Sequence, residues 1–278
     1  MENTTEDTSL PTPAQMYEEF YGPCIFRPLA EALVTFAPPP PGGRILDLAC
    51  GTGIVARHLA DLIGASGSIV AADINPAMLN IGRSRYASTA APIEWIEADA
   101  TTADFVPASF DAAYCQQGLQ FFSDKLSALA RLRRAIKPGG AAVIATWLPI
   151  DQHPIFAAFA TVEARYLSDL GVTYDDLIAR FSLGDPHELS LLLQQAGFRP
   201  VKLQRYDLRV KVTEPATFAR RMETAYAAVI PAFVADPKAF ASFVANVERE
   251  TRGIIEQYTI DGNLLFTMPT NFVVAAAP

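Results

Sequence analysis

Histidine and cysteine are scarce in this chain, three of each in 278 residues. His58, His153 and His187 stand far apart, and Cys24, Cys50 and Cys115 form no Cys-x-x-Cys pair. That spacing argues against a zinc-type ligand set, and no metal site is expected. An odd number of unpaired cysteines fits thiols kept reduced, so a cytoplasmic location is expected. A basic stretch is also missing. The net charge is −8, and the one concentration of arginine, Arg131-Leu132-Arg133-Arg134, reads as the surface of a helix. Nucleic acid and anionic membrane both need a basic face, so neither is an expected partner. No apolar run reaches the ~20 residues that cross a bilayer. Residues 1–13 are polar and acidic, without the basic and apolar blocks of a secretory signal.

What is present is apolar: 50% of the residues are hydrophobic, enough for one large core or a core with a cap. Residues 1–13 read as a disordered tail. Over 14–43 a helical segment is expected, with Tyr17, Phe20 and Tyr21 on one face and Phe26, Leu29, Ala30 and Leu33 on another. The run Pro38-Pro39-Pro40-Pro41-Gly42-Gly43 closes it. From Arg44 the pattern alternates. Strands are expected over 45–49, 68–73, 93–98, 110–115 and 141–147, with helices over 54–62, 76–86 and 125–136. Asn75 is placed to cap the second of these helices and Pro76 to open it. Repeated strand–helix units with right-handed crossovers give a doubly wound α/β fold on a mostly parallel sheet. Further on, a helix over 188–196 stops at Gly197, and strands are expected over 201–212 and 264–275. The helical stretch between them, 214–258, is long for a connection and reads as a cap.

The densest signal is Arg44-Ile45-Leu46-Asp47-Leu48-Ala49-Cys50-Gly51-Thr52-Gly53. A buried strand runs through an acid into a glycine turn, and a helix follows. Glycine there lets a ligand rest on the backbone, and the helix start is expected to offer unpaired N–H groups. Gly51-x-Gly53-x-x-Ala56, with Asp73 some twenty residues on, fits the dinucleotide fingerprint as well. The surroundings point elsewhere. Asp47, inside the strand, suits an amino group and is poorly placed for a pyrophosphate. The third strand ends in Glu97-Ala98-Asp99-Ala100, the fourth begins Phe110-Asp111, and Ile136-Lys137-Pro138-Gly139-Gly140 precedes the fifth.

As an ensemble, these motifs, with Ala72-Asp73-Ile74-Asn75-Pro76-Ala77-Met78-Leu79 and Phe110–Phe122, resemble the class I S-adenosylmethionine-dependent methyltransferases over residues 44–147. The likeness is to the small-molecule branch, which includes ubiquinone and menaquinone biosynthesis enzymes and natural-product methyltransferases. It implies a seven-stranded sheet with the last strand antiparallel and a helical cap. The core would comprise 44–213 and 259–278, the cap 214–258, and residues 14–43 would fold over the active site.

The resemblance also assigns S-adenosylmethionine as cofactor, S-adenosylhomocysteine as product, and roles to residues. Asp73 would accept hydrogen bonds from the ribose hydroxyls. Asp99 would face the adenine amino group, beside the Ala100 N–H, with Ile74 and Met78 on the faces of the ring. Ala49 and Gly51 would lie along the methionine part, and Asp47 would reach its amino group directly or through water. Gln116 would lie near the amino acid moiety or the reacting methyl. Tyr17 and Phe26 would close over the cofactor, where aromatic faces favour a sulfonium. Plainer roles stay open: Asp47 bracing the turn, Asp99 capping one, Met78 filling core, the aromatics packing on the sheet.

The implied function is methyl transfer to a small, apolar or aromatic acceptor. Such a displacement needs alignment and exclusion of water, and a base only where the acceptor arrives protonated. His153, just past the fifth strand, is the candidate base. Many relatives carry a histidine after the fourth strand; here the stretch is Gly118-Leu119-Gln120-Phe121-Phe122. Phe218, Met222, Tyr226, Phe233 and Phe240 line an acceptor pocket or pack the cap. Two alternatives share the same cofactor motifs: a non-methylating reaction such as cyclisation, and a non-catalytic cofactor-binding protein. A homodimer is compatible with all three.

Overall fold

A computed structural model describes residues 12–86, 91–228 and 230–278. The tail expected over 1–13 lies outside the described residues except for its end. There Thr12 accepts a hydrogen bond from the Gln15 N–H and opens α1 (Pro13–Met16). The N-terminal segment continues as a π-helical stretch, Tyr17–Phe26, and then α2 (Arg27–Phe36).

Among the described residues eight strands form one sheet: β1 (Arg44–Leu48), β2 (Ser68–Asp73), β3 (Ile93–Glu97), β4 (Phe110–Gln116), β5 (Ile136–Trp147), β6 (Arg199–Val212), β7 (Thr259–Ile260) and β8 (Asn263–Ala276). Their order is β3-β2-β1-β4-β5-β8-β6, with β7 paired to β8 alone. The first five strands are mutually parallel, and β8 runs antiparallel to β5 and β6. The strand beyond the expected seven is β7, two residues that fold back on β8 through Asp261 and Gly262, both at positive φ. Strand β5 starts earlier than its apolar run suggests. Pairing shifts register between Phe110 and Ala112, and that irregularity accommodates Pro138 and Gly139 within the strand.

Central strands are buried on both faces, which is why β1 and β2 read as nearly continuous apolar runs. Ile45 points to the face covered by α2 and α3 (Ile54–Ile63), among Leu29, Leu33 and Leu59. Leu46 and Leu48 point to the other, with Leu129, Leu132, Leu189 and Leu193. α4 (Pro76–Arg85) covers the first face with Leu79, capped as expected by the Asn75 side chain. α5 (Lys125–Ala135) covers the second.

After β5 the chain adds α6 (Pro154–Leu167) and α7 (Tyr174–Ile178), then returns through α8 (Pro186–Gln195) to the second face of the sheet. Between β6 and β7 lie α9 (Phe218–Tyr226), α10 (Pro231–Ala235) and α11 (Pro237–Gln257). α6 packs along α11, and α9 packs against α11 and α1. The helices beyond the sheet therefore come from three stretches, one of them, 154–181, inside the span assigned to the core from sequence. Phe218, Met222 and Phe233 are buried among these helices, and Phe240 packs on Phe233, so four of the five candidate pocket residues are core.

Candidate active site

The turn after β1 is shaped by what surrounds it. Ala49, Gly51 and Gly53 have φ of 56°, 55° and 75°. At Gly53 a Cβ would meet the Trp95 ring at 2.2 Å, and at Gly82 on α4 it would meet the same ring at 2.5 Å. Trp95 of β3 is thus wedged between the turn and α4, and glycine is required at both contacts.

Several backbone donors of the turn are already occupied. Asp47, 1% exposed, accepts a hydrogen bond from the Ala56 N–H at 2.8 Å, in the first turn of α3. Asp73 accepts from the Gly51 N–H at 2.7 Å and from the Asn75 N–H at 2.8 Å. At the helix start expected to be open to a ligand, the Ala56 N–H is taken by Asp47, and Asp73 stands beside the turn, where its charge is unfavourable to a pyrophosphate. Burial pushes Asp47 up to about 8, against the pull of its hydrogen bond to Ala56, and the nearby charge of Asp73 adds to the rise. The Thr52 hydroxyl donates to Glu18 at 2.6 Å, and Arg57 pairs with the other Glu18 oxygen at 2.7 Å. These bonds fasten the π-helical segment to the turn.

A cavity of about 560 Å³ opens over the ends of the parallel strands, and it is walled by every sequence-predicted cofactor residue except Asp47. Ala49 and Gly51 lie at the turn, Asp73, Ile74 and Met78 follow β2, Asp99 and Ala100 follow β3, and Gln116 ends β4. This is the crevice beyond the carboxyl ends of the strands, where open α/β sheets bind ligands. Tyr17 and Phe26 complete the wall, their rings stacked at 4.5 Å and 22°. Ile74 is 65% exposed and Phe121, also on the wall, 64%. Asp99 accepts from the Thr101 N–H and hydroxyl at 2.8 and 2.7 Å, and these bonds hold its carboxyl below the usual range. Gln116 donates to the Phe26 carbonyl at 3.2 Å, which leaves its buried Oε1 as an acceptor without a partner.

The π-helical turn explains the Tyr17–Phe26 pair. Residues nine apart fall on opposite sides of an α-helix at about 100° per residue. Here the Arg27 N–H reaches back to the Gly22 carbonyl, five residues away. The wider turn brings Tyr17 and Phe26 together, whereas helical periodicity set them on separate faces.

His153 is neither on the surface nor on the cavity wall. It is 1% exposed, in an aromatic cage with Phe181 at 4.7 Å, Trp147 at 6.1 Å and Phe156 at 6.3 Å between ring centroids. Neither ring nitrogen has a hydrogen-bond partner, and burial pushes its pKa down to about 4. Trp147 faces the cavity and His153 lies against it from behind. Of the other cap residues singled out, Tyr226 reaches the cavity, and Arg180 beside it was missed. Arg180 sits in a short turn, Ala179–Phe181, with no motif around it to give it away. Among the described residues no three His, Cys, Asp or Glu side chains gather where they could hold a metal, and no helix is long and apolar enough to cross a membrane.

Residues 45–140 match a family model described as a methyltransferase domain. Over 132 residues the chain is 39% identical to a ubiquinone/menaquinone biosynthesis C-methyltransferase of Coxiella burnetii, an alignment covering 47% of this chain and 53% of that one. It thus spans about half the length of such relatives. It is 34% identical over 174 residues to a 2-phytyl-1,4-naphtoquinone methyltransferase of Thermosynechococcus vestitus, covering 59% of this chain and 75% of the relative. Among solved structures, the 4+2 cyclase SpnF shares the fold with a TM-score of 0.55 at 18% identity, over 96% of this chain and 97% of that one. The chain belongs to the class I S-adenosylmethionine-dependent methyltransferase family.

Proposed function

We propose that the chain binds S-adenosylmethionine in the cavity and directs its methyl group to a small aromatic acceptor of the quinol type. The observation that carries this reading is the wall itself. Two carboxylates, Asp73 and Asp99, stand at the ends of adjacent strands, with the uncovered Ile74 between them in sequence and an unpartnered amide oxygen, Gln116 Oε1, on β4. That acceptor set fits a nucleoside joined to an amino acid. Asp73 accepts from ribose hydroxyls, each charge-assisted bond contributing about 1.5–3 kcal/mol. Asp99 and the Ala100 N–H take the adenine edge, and Ile74 and Met78 its faces. Gln116 Oε1 accepts from the ammonium group, with Ala49 and Gly51 alongside. Asp47 acts from behind the turn, by holding α3 in place. When bound, the cofactor supplies a methyl group made electrophilic by a sulfonium. Tyr17, Phe26 and Trp147 keep water from the reacting atoms and present aromatic faces to positive charge.

The quinol acceptor rests on the activities of the two relatives. Calorimetry with S-adenosylhomocysteine and with NAD tests the cofactor; tighter binding of NAD overturns the reading. Incubation with reduced naphthoquinones tests the reaction, with methylated product and S-adenosylhomocysteine expected in equal amounts. A transformed acceptor without S-adenosylhomocysteine points instead to a non-methylating reaction such as cyclisation. The same reading carries a cytoplasmic location, which cell fractionation checks.

A further inference from the structure

Charge on the cavity wall is divided. Both carboxylates, Asp73 and Asp99, stand on the sheet side, and the one cation among the described lining residues, Arg180, stands on the cap side. Its guanidinium lies over the Tyr226 ring, 4.1 Å from the centroid. Arg180 Nη1 is buried and has no hydrogen-bond partner, and neither has Tyr21 Oη, whose ring packs 5.7 Å from that of Tyr226. An arginine cannot shed its charge, and a buried donor left unpaired is costly. Such a group in an apolar cap calls for a reason.

The reason lies in two further cap residues. Glu163 on α6 and Glu223 on α9 are buried, 7% and 2% exposed, and lie close enough for each carboxyl to act on the other. Two carboxyls so close keep one proton between them. Burial raises both carboxyls above the usual carboxylate range, and the charge of each opposes ionisation of the other, so the pair shares a proton. One negative charge remains, and the positive charge of Arg180 acts on both groups. The pair holds a guanidinium at the cap without consuming Nη1.

We propose that Arg180 is the anchor for the acceptor, binding an acidic oxygen of it, the ionised hydroxyl of a phenol or enol, through Nη1. The hydroxyl proton passes to solvent as the oxygen pairs with the guanidinium. Glu163 and Glu223 are positioning residues that act through Arg180. Stacking on Tyr226 fixes the plane of the fork, leaving one edge for the oxygen. The assignment rests on the acceptor reading given above. The opposing assignment is that Arg180 holds the carboxylate of the cofactor.

Titrations of the protein saturated with S-adenosylhomocysteine separate the two. The probes are 1-naphthol and its methyl ether, 1-methoxynaphthalene, which lacks the acidic hydrogen. The native chain should prefer 1-naphthol by about tenfold or more, the worth of a charge-assisted hydrogen bond, and show the absorption band of the naphtholate. Arg180→Met should lose the preference and the band while binding S-adenosylhomocysteine as before, and Arg180→Lys should keep part of both. Glu223→Ala should reduce the preference without abolishing cofactor binding. The assignment is overturned if Arg180→Met weakens S-adenosylhomocysteine and leaves the naphthol preference intact, or if the native complex binds both probes equally or neither. Because the preference is read without turnover, an intact preference with no methyl transfer to any hydroxylated naphthalene supports Arg180 as the anchor and sinks the methyl-transfer reading.

Discussion

The floor of the cavity and its cap are built on different rules. On the floor, position follows from the local chain: a strand, a turn at positive φ and a helix set Ala49 and Gly51 in place within a few residues. Asp47 and Asp73 tie that turn down through backbone donors, Ala56 and Gly51. In the cap, position follows from helices distant in sequence. Glu163 and Glu223 meet because α6 and α9 both pack against α11, and Arg180 faces the cavity because Tyr226 lies beneath it. A floor of the first kind is recognisable across relatives, and the match to the family model, residues 45–140, stops with it. A cap of the second kind is free to vary, and that is where a choice of acceptor belongs.

The contrast can be broken at the floor most severely. Gly53→Ala would place a Cβ 2.2 Å from the Trp95 ring at a φ of 75°. A loss of about 3 kcal/mol or more is expected in urea unfolding, from clash and backbone strain together. A loss under about 1 kcal/mol would show that the wedge is slack. Next is Asp73→Ala, which removes the proposed ligand for the ribose and the partner of two N–H groups at once. S-adenosylhomocysteine affinity should fall by about a hundredfold, and stability by about 1–3 kcal/mol. Calorimetry showing near-unchanged affinity would misplace the ribose.

Asp47 gives a subtler test. Its carboxyl titrates near 8 in the folded chain, against about 3.9 when unfolded. The folded state therefore holds the proton longer, and the stabilisation this gives, complete below about pH 4, is lost as pH rises toward 8. Unfolding midpoints of the native chain should decline over that window, and those of Asp47→Asn should be flatter, since the amide oxygen still accepts from Ala56. Parallel pH profiles would place the titration elsewhere.

The smallest effect on activity is expected from His153→Phe. With a folded pKa near 4 and an unfolded value about 6.5, the imidazole costs stability as pH falls from 6.5 toward 4. The phenylalanine variant should lack that loss and keep the native rate of methyl transfer. A rate reduced tenfold in a stably folded variant would return His153 to the chemistry.

How far the sequence could be read follows the same division. The parallel strands, the glycine turn, the Asn75 cap and ten cavity residues depend on spacing within a short window, and spacing is what a sequence displays. Asp47 was legible as important, and of the roles the sequence left open for it the bracing contact is the one present: its carboxyl, inside a strand, points back at the next helix. The faces assigned to Tyr17 and Phe26 assumed an α-helix, and the π-helical turn changed the geometry without a composition to announce it. α6 and Arg180 left no local trace, because what makes them matter is contact with residues some forty to eighty positions away.

The wedge at Gly53 has one more consequence, and it is optical. The chain has two tryptophans. Trp95 is locked between two glycines and takes no part in the cavity wall, whereas Trp147 forms part of it beside Phe26. Emission from Trp147 alone should respond to what fills the site, against a constant background from Trp95. The protein thus carries its own reporter of occupancy and its own internal standard.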